Sequence, residues 1–308
     1  MLFENTNNAW AYFPLSFIAD REVSLATFCR DLNEDVFSGQ TQEFVSSKGL
    51  TVVYKKLQWD SEFFGTPTFR IEYTSIPDNS SDNSVSASFN EFRVHLGSSN
   101  SEFYVFAEVP SEDTAVLVGM TGSGWRLIET RITCFRDDMQ NFNFIDGLPT
   151  RSAEIGDIPD LRSTAIRAVN PFDRFHSDKF FSAKQADEFM AAFVENSVNG
   201  YADEVVVPAI GLADAFLTGV YLPSSDSFQD KKIAKPVLSA VSAERKGWYK
   251  HLIGSLGNTF RLNGVDIAFM STQATNRAVQ KVWFHHGFRF GRTTHVISTF
   301  VKNECDLT

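Results

Sequence analysis

The chain has 308 residues, enough for about two domains at ~150 residues each, and its 43% hydrophobic content can bury sizeable cores, which excludes a disordered chain. A formal net charge of −10 excludes a general nucleic-acid binder, which needs a basic stripe, but not one small basic pocket for phosphates. Thirty phenylalanines make much of the apolar volume aromatic, suited to packed cores and flat-walled clefts.

Met1-Leu2-Phe3-Glu4 forms no basic n-region and Asn5-Thr6-Asn7-Asn8 breaks any apolar run, so no secretory signal is expected. No stretch approaches the ~20 apolar residues of a membrane helix, and a soluble cytoplasmic protein with no membrane contact is the expectation. Cys29, Cys134 and Cys305 are scattered and form no CxxC pair or metal spacing with the six histidines. Each reads as a core filler or a surface thiol in a reducing compartment, with no metal. Residues 77–101, rich in Ser, Asn and Asp, read as a loop, a short helix and a second loop. Gly124-Trp125-Arg126 followed by Thr130 is echoed by Gly287-Phe288-Arg289 followed by Thr293. The echo is either chance in a short window or a sign that the N-terminal half is a reduced relative of the C-terminal fold.

The pattern resets between Pro149 and Glu154, which divides the chain into an N-terminal domain, 1–150, and a C-terminal domain, 151–308. In the second half, residues 152–155 read as a strand and 158–169 as a helix. Residues 170–182 form a loop containing Pro171. A second helix, 183–199, carries Ala186, Met190, Val194 and Val198 on one stripe, widened by Phe189 and Phe193 and stopped by Gly200. Strands follow at 204–210, 215–222 and 236–242, with a polar interruption from Pro223 to Lys232. Then come a helix at 247–262, a buried-type strand at 266–271, a helix at 276–286 and a long strand at 288–301. That order, β-α-α-β-β-β-α-β-α-β, demands a mixed, partly parallel sheet flanked by helices, an α/β (α+β) fold.

Two segments carry chemistry. From Val241 a strand ends, Arg245-Lys246-Gly247-Trp248-Tyr249 forms a short basic loop with one glycine, and a helix begins. Free N–H groups at the helix start, the positive dipole end and the basic side chains make an anion site suited to a pyrophosphate. A solvated helix start is the plainer alternative. In the second segment, after a buried strand, Asn276 is placed to cap a helix whose Val279, Val282 and Trp283 face the core.

Together these segments, about 30 residues apart, resemble the two coenzyme A motifs of the GNAT N-acetyltransferase superfamily. Asn276, Val279, Trp283, Gly287 and Phe288 fall on the spacing Asn-x-x-Ala-x-x-x-Tyr-x-x-x-Gly-Phe of its second motif. The element order over 151–301 is also similar. Leu57-Gln58-Trp59-Asp60-Ser61-Glu62-Phe63-Phe64-Gly65 and Gly124-Trp125-Arg126-Leu127-Ile128-Glu129 further resemble segments of bacterial TDP-fucosamine acetyltransferases. The resemblance implies an acyl-CoA (acetyl-CoA or 3-hydroxybutanoyl-CoA) co-substrate, no tightly bound cofactor, and a nucleotide-linked amino sugar as acceptor, bound between the halves of a cytoplasmic enzyme of surface-polysaccharide synthesis, with a homodimer and a monomer both open. Other amines, or acyl-CoA binding without catalysis, are the alternatives.

By the same resemblance Glu129 occupies the base position, and His176, with Arg174 and Phe175, lies in the loop facing the acceptor. Trp59, Phe63 and Phe64 would contact substrate, and Val241, Arg245, Lys246, Gly247, Trp248, Tyr249, Asn276 and Trp283 would line the CoA site. Plainer readings stand beside these: Glu129 as a strand glutamate, His176 as a surface histidine, and the Trp59 segment as a packed turn. Two departures are evident. The pyrophosphate loop holds bulky residues where the family has several glycines. The tyrosine that protonates the leaving thiolate is replaced by Trp283, whose indole does not give up its proton at useful pH. His285 and His286 are candidates to replace the missing acid, but the stronger reading is that they close a helix C-terminus, where a partly cationic imidazole is favoured.

Overall fold

The computed structural model describes residues 8–145, 147–222 and 231–302. Most of the polar interruption expected between Pro223 and Lys232, all but the last residue of the N-terminal segment read for a leader, and Cys305 lie outside the described residues. The elements begin with α1 (Arg21–Phe37), β1 (Gln42–Val45), β2 (Thr51–Lys56), α2 (Gln58–Phe64) and β3 (Thr68–Ser75). They continue with α3 (Asp82–Ser99), β4 (Phe103–Pro110), α4 (Thr114–Gly122), β5 (Arg126–Arg136), β6 (Thr150–Ser152), α5 (Ile158–Arg167) and α6 (Arg174–Ser177). Last come α7 (Ala183–Asn196), β7 (Glu204–Pro208), β8 (Ala215–Tyr221), β9 (Ile233–Val241), α8 (Tyr249–Leu262), β10 (Ile267–Gln273), α9 (Arg277–His285) and β11 (Arg289–Val301).

Packing divides the chain into two units, Met1–Arg131 with Arg292–Thr308, and Ile132–Gly291. The divisions fall partway along β5 and β11, whereas the reset in the sequence pattern lies at residues 149–154.

In the first unit the strand order is β1-β2-β3-β4-β11-β5, with β3 and β4 parallel and the pairs β1–β2, β2–β3 and β4–β11 antiparallel. Residues 77–101 are not a short helix between two loops: Asp82–Ser99 is one helix of 18 residues. Asn83, Asn90, Ser98 and Ser99 are exposed, while Val85, Phe89, Phe92 and Leu96 recur at helical spacing and are buried, together with Ser88. The Ser81 hydroxyl accepts from the Ser84 N–H and starts it. Helix α4 lies so close to α3 that a Cβ on Gly119 would meet the Val85 side chain at 2.2 Å.

The echoed segments adopt the same conformation. Asp113 caps α4 through the Val116 N–H, and Asn276 caps α9 through the Val279 N–H, both at 3.4 Å. Gly124 (φ 81°) and Gly287 (φ 77°) then stand in the left-handed region just past each helix. The next residue donates back five positions in both cases, Trp125 N–H to Met120 O and Phe288 N–H to Trp283 O. This is one helix-closing device used twice, with a capping Asx, a valine three residues on and a glycine eleven residues on.

In the second unit the order is β5-β10-β9-β8-β7-β6. Strands β9 and β10 are parallel, and the pairs β6–β7, β7–β8 and β8–β9 are antiparallel. A mixed, partly parallel sheet flanked by helices is therefore the fold, as the element order demanded. Three local differences appear: the strand expected at 152–155 is Thr150–Ser152, with a 3-10 turn at Ile155–Asp157; the expected loop 170–182 contains α6; and α7 runs into a wide turn, Ser197–Tyr201, in which Gly200 has φ 107°. The core of this unit explains the glycines of α8. A Cβ on Gly254 would lie 2.0 Å from the Phe144 ring, and one on Gly257 2.4 Å from the Phe142 ring. Asn258 exchanges hydrogen bonds with the backbone of Phe144, at 3.2 and 2.8 Å, holding that segment against the helix.

Candidate active site

Strands β9 and β10 pair only at Ile233↔Ile267 and Ala234↔Ala268. Beyond that the two part, while β9 stays paired with β8 as far as Val241. Parallel strands that diverge leave main-chain donors and acceptors facing a gap, where an extended ligand can complete the ladder. The half-buried Val241 packs its side chain against the core of this unit at the far end of β9.

The chain then makes one 3-10 turn, Ala243–Arg245, and enters α8. Gly247 stands at φ 95°, and nothing lies within 4 Å of where its Cβ would be. The glycine is required by the backbone, not by crowding. Trp248, at the N-cap, supplies no side-chain acceptor. The N–H groups of Lys246, Gly247, Tyr249 and Lys250 have no backbone acceptor among the described residues. Four donors without a backbone acceptor among the described residues, at the positive end of a 14-residue helix and beside the exposed Lys246, are an arrangement chemically suited to an anion. The equivalent start in the first unit offers no such arrangement: at α3, Ser81 already fills the cap and Asp82 brings negative charge.

Arg245 stands apart from the residues expected with it. Its Nε donates to Asp214 at 2.7 Å, its Nη2 donates to the Ile210 carbonyl at 3.0 Å, and its guanidinium stacks over Trp248. Burial alone would raise the Asp214 carboxyl, but hydrogen bonds from Arg245 and Ser242 carry it below its ordinary value. Arg245 thus braces the loop, and Lys246 is the cation left to an anionic ligand.

Trp283 is buried, and its indole N–H donates to the Tyr249 hydroxyl at 2.8 Å. Ser239 of β9 is a second polar neighbour of that hydroxyl, close enough to act on its titration. Two residues expected at the site from separate segments, Tyr249 and Trp283, therefore meet through the phenol hydroxyl. Asn276, at the other end of α9, spends its amide on the cap and on Thr272 Oγ1 at 3.2 Å.

The expected acid–base residues sit in ion pairs. Glu129 is buried and bonded to Arg131, which also reaches Glu108 at 3.1 Å. Its carboxylate is engaged by that arginine, a setting that favours the strand-glutamate reading over the base position implied by the resemblance. His176 lies between two carboxylates, with Nδ1 at 2.7 Å from Asp173 and Nε2 at 3.2 Å from Asp187. The hydrogen bond to Asp173 outweighs burial and raises its pKa above the ordinary histidine value. Both ring nitrogens are engaged, so His176 ties α6 to α7 and has no nitrogen left for a substrate. Arg174 is buried and stacked on Phe175, whose ring packs 4.2 Å from Phe189 of α7. In the first unit the Phe63 ring of α2 lies tilted 5.9 Å from Trp59 and T-shaped 5.0 Å from Phe64, and Gly65 closes the helix at φ 66°.

His286 is a correction. It is buried and neutral, not partly cationic: desolvation lowers its pKa to about 4 while Nε2 lies 3.0 Å from the Lys250 carbonyl. Sequence reasoning also passed over His295, whose nitrogens lie 3.1 Å from Ser111 and 3.1 Å from Thr130, and over Asp214 and Ser239. Their partners are distant in the chain, so no local spacing signals them.

By sequence the chain matches no family model and no curated protein. By structure it is similar to a GCN5-related N-acetyltransferase from Sphaerobacter thermophilus, with 11% identity and a TM-score of 0.55 over 96% of this chain and 93% of that one. A GCN5-related N-acetyltransferase from Kribbella flavida aligns at 12% identity and a TM-score of 0.51, covering 87% of this chain and 94% of that one. A GCN5-related glucosamine N-acetyltransferase region of a fungal multi-domain β-N-acetylglucosaminidase gives 11% and 0.56 over 83% of this chain, and 32% of that one. At these identities the likeness establishes the fold, which is the GNAT fold. It says nothing on the resemblance to TDP-fucosamine acetyltransferases.

Proposed function

We propose that the chain is an acyl-CoA-dependent N-acyltransferase whose second unit holds the acyl-CoA. The observation that carries this reading is the parting of β9 and β10 beside the uncapped start of α8. The gap offers main-chain partners to the amides of a pantetheine arm, and the cradle at Lys246, Gly247, Trp248 and Tyr249 suits a pyrophosphate. Val241 lines the far end of β9, and Asn276 borders the arm's path only by loosening its cap. The GNAT fold supports the reading without carrying it.

The amine of the acceptor attacks the thioester carbonyl, a C–N bond forms, the C–S bond breaks, and CoA leaves as the thiol. Main-chain N–H groups of β9 in the gap are placed to polarise the carbonyl oxygen. We propose an amine on a nucleotide-linked amino-dideoxy sugar as acceptor, with Arg174 and Phe175 of the second unit supporting its site. This finer step rests on the sequence resemblance; the fungal neighbour, named for glucosamine, is a second sugar-directed example of the fold. Glu129 can serve as base only by exchanging Arg131 for the incoming ammonium.

Isothermal calorimetry with acetyl-CoA, and thiol release on a panel of nucleotide amino sugars, test the two levels separately. Micromolar binding that is lost on Gly247→Val supports the cradle; unchanged affinity in that variant overturns it. A second reading, acyl-CoA binding without transfer, is favoured by Trp283 in the tyrosine position and by the ion-paired Glu129 and His176. Binding without thiol release on any acceptor is its signature.

A further inference from the structure

The Tyr249 hydroxyl holds a position that neither motif accounts for. It sits on the first residue of α8, yet it is bonded to Trp283 on α9 and neighbours Ser239 on β9. Ser239 lies five residues beyond the last β9–β10 register pair, and α9 follows β10. The phenol therefore bridges the two sides of the place where the strands part.

Direction along this chain is fixed by chemistry. An indole nitrogen only donates, so the Tyr249 oxygen is the acceptor of the Trp283 bond and its own proton points elsewhere. Apart from Ser239, which can donate or accept, that proton has no partner among the described residues. A hydroxyl that accepts a hydrogen bond donates a stronger one, because the bonds polarise one another. Burial raises the phenol's pKa well above its ordinary value, so it remains a neutral donor throughout the physiological range.

We infer that Tyr249 is a catalytic hydrogen-bond donor to the thioester sulfur, oriented by Trp283 and Ser239, and that it takes over the place left by the missing motif tyrosine. The inference rests on the acyl-CoA reading above. As the amine nitrogen forms its bond to the carbonyl carbon, the C–S electron pair moves onto sulfur. The Tyr249 O–H bonds to that sulfur as its charge grows. The phenol keeps its proton, since it is far the weaker acid; the thiolate is protonated by water, and the nitrogen releases its surplus proton to solvent. Nothing else is consumed.

The test uses the full chain with acetyl-CoA and hydroxylamine as a small amine, reading thiol release and, in parallel, acetyl-CoA affinity by calorimetry. Tyr249→Phe removes one oxygen, and a lost preorganised donor lowers kcat by about 100-fold. The expected result is that loss with acetyl-CoA affinity unchanged within about threefold. Trp283→Phe, which keeps the phenol but removes its orienting bond, should fall between the two. Wild-type turnover in Tyr249→Phe overturns the inference and leaves the acyl-CoA reading intact. So does a parallel loss of affinity and turnover, which would make Tyr249 part of the binding cradle alone. A wild-type protein that fails to bind acetyl-CoA overturns the reading and the inference with it. Should Tyr249→Phe lower the melting temperature, Ser239→Ala gives an independent arm: a smaller loss than Tyr249→Phe is expected, and a larger one assigns the donor to Ser239 instead.

Discussion

At the scale of single residues, two histidines respond to pH in opposite directions. The folded state raises the pKa of His176, so the two-carboxylate clamp adds stability that is fully present below the unfolded value of ~6.5 and is lost as pH rises through the folded value. His286 has a folded pKa of about 4, so stability is lost as pH falls from ~6.5 toward 4, when the unfolded chain takes up a proton that the folded one refuses. That difference of roughly 2.5 units corresponds to about 3 kcal/mol. Chemical denaturation at several pH values should show His286→Gln with a flatter slope between pH 6.5 and 4. His176→Asn should show its largest deficit below pH 6, shrinking as the solution becomes alkaline. A third residue-scale expectation concerns Glu129. Glu129→Gln leaves Arg131 with Glu108 as its remaining carboxylate, and should cost about 1–3 kcal/mol in stability and less than tenfold in turnover. A ~100-fold fall in turnover with an unchanged melting temperature would instead make Glu129 the base. Two of these pairings are local and readable from spacing, Asp173 with His176 at three residues and Glu129 with Arg131 at two; the others are not. Glu108 and Arg131 are 23 residues apart, and the raised or lowered affinity for protons follows from three-dimensional neighbours.

Among the elements, the C-terminal half was nearly all legible. Its strands and helices announce themselves through Gly200, Asn263-Gly264 and Gly287, through the Asn276 cap, and through apolar residues at fixed periods. The turn into α8 was legible for the same reason, since a strand followed by one glycine before a helix leaves few other conformations. Helix α3 was not legible as a long helix, because serine and asparagine weaken the helical signal and the decisive apolar stripe is only one residue in three or four. Interdigitation was equally hidden: glycines at 254 and 257 look like helix weaknesses until the Phe144 and Phe142 rings are seen against them. Gly254→Leu should therefore destabilise the protein by roughly 1–3 kcal/mol, measured by urea denaturation, although it improves helix propensity. A surface glycine replaced in the same helix type would gain stability, so the sign alone separates the two cases.

On the scale of the whole molecule, the sequence pattern resets at residues 149–154, but the second unit takes in Ile132 to Pro149 as well. Composition marks where a loop lies; it does not mark what that loop packs on. A fragment cut at 150/151 lacks the β5 residues next to β10 and the two rings that fill the α8 glycine grooves. Such a fragment should show lost near-ultraviolet dichroism and a broad thermal transition, whereas the full chain should unfold sharply. A cooperative transition from residues 151–308 would show that the rings are dispensable.

The parting of β9 and β10 has a kinetic counterpart. Amides in a closed ladder exchange with deuterium only when the sheet opens, whereas amides along a gap exchange as fast as water reaches them. The backbone from Lys235 to Val241 that faces β10 should thus label early in the free protein, while Val52 and Val53, held between β1 and β3, label late. A ligand lying in the gap would act as an inserted strand and slow that one stretch selectively. Deuterium uptake followed by mass spectrometry would then draw the outline of the ligand along the chain before any complex had been seen.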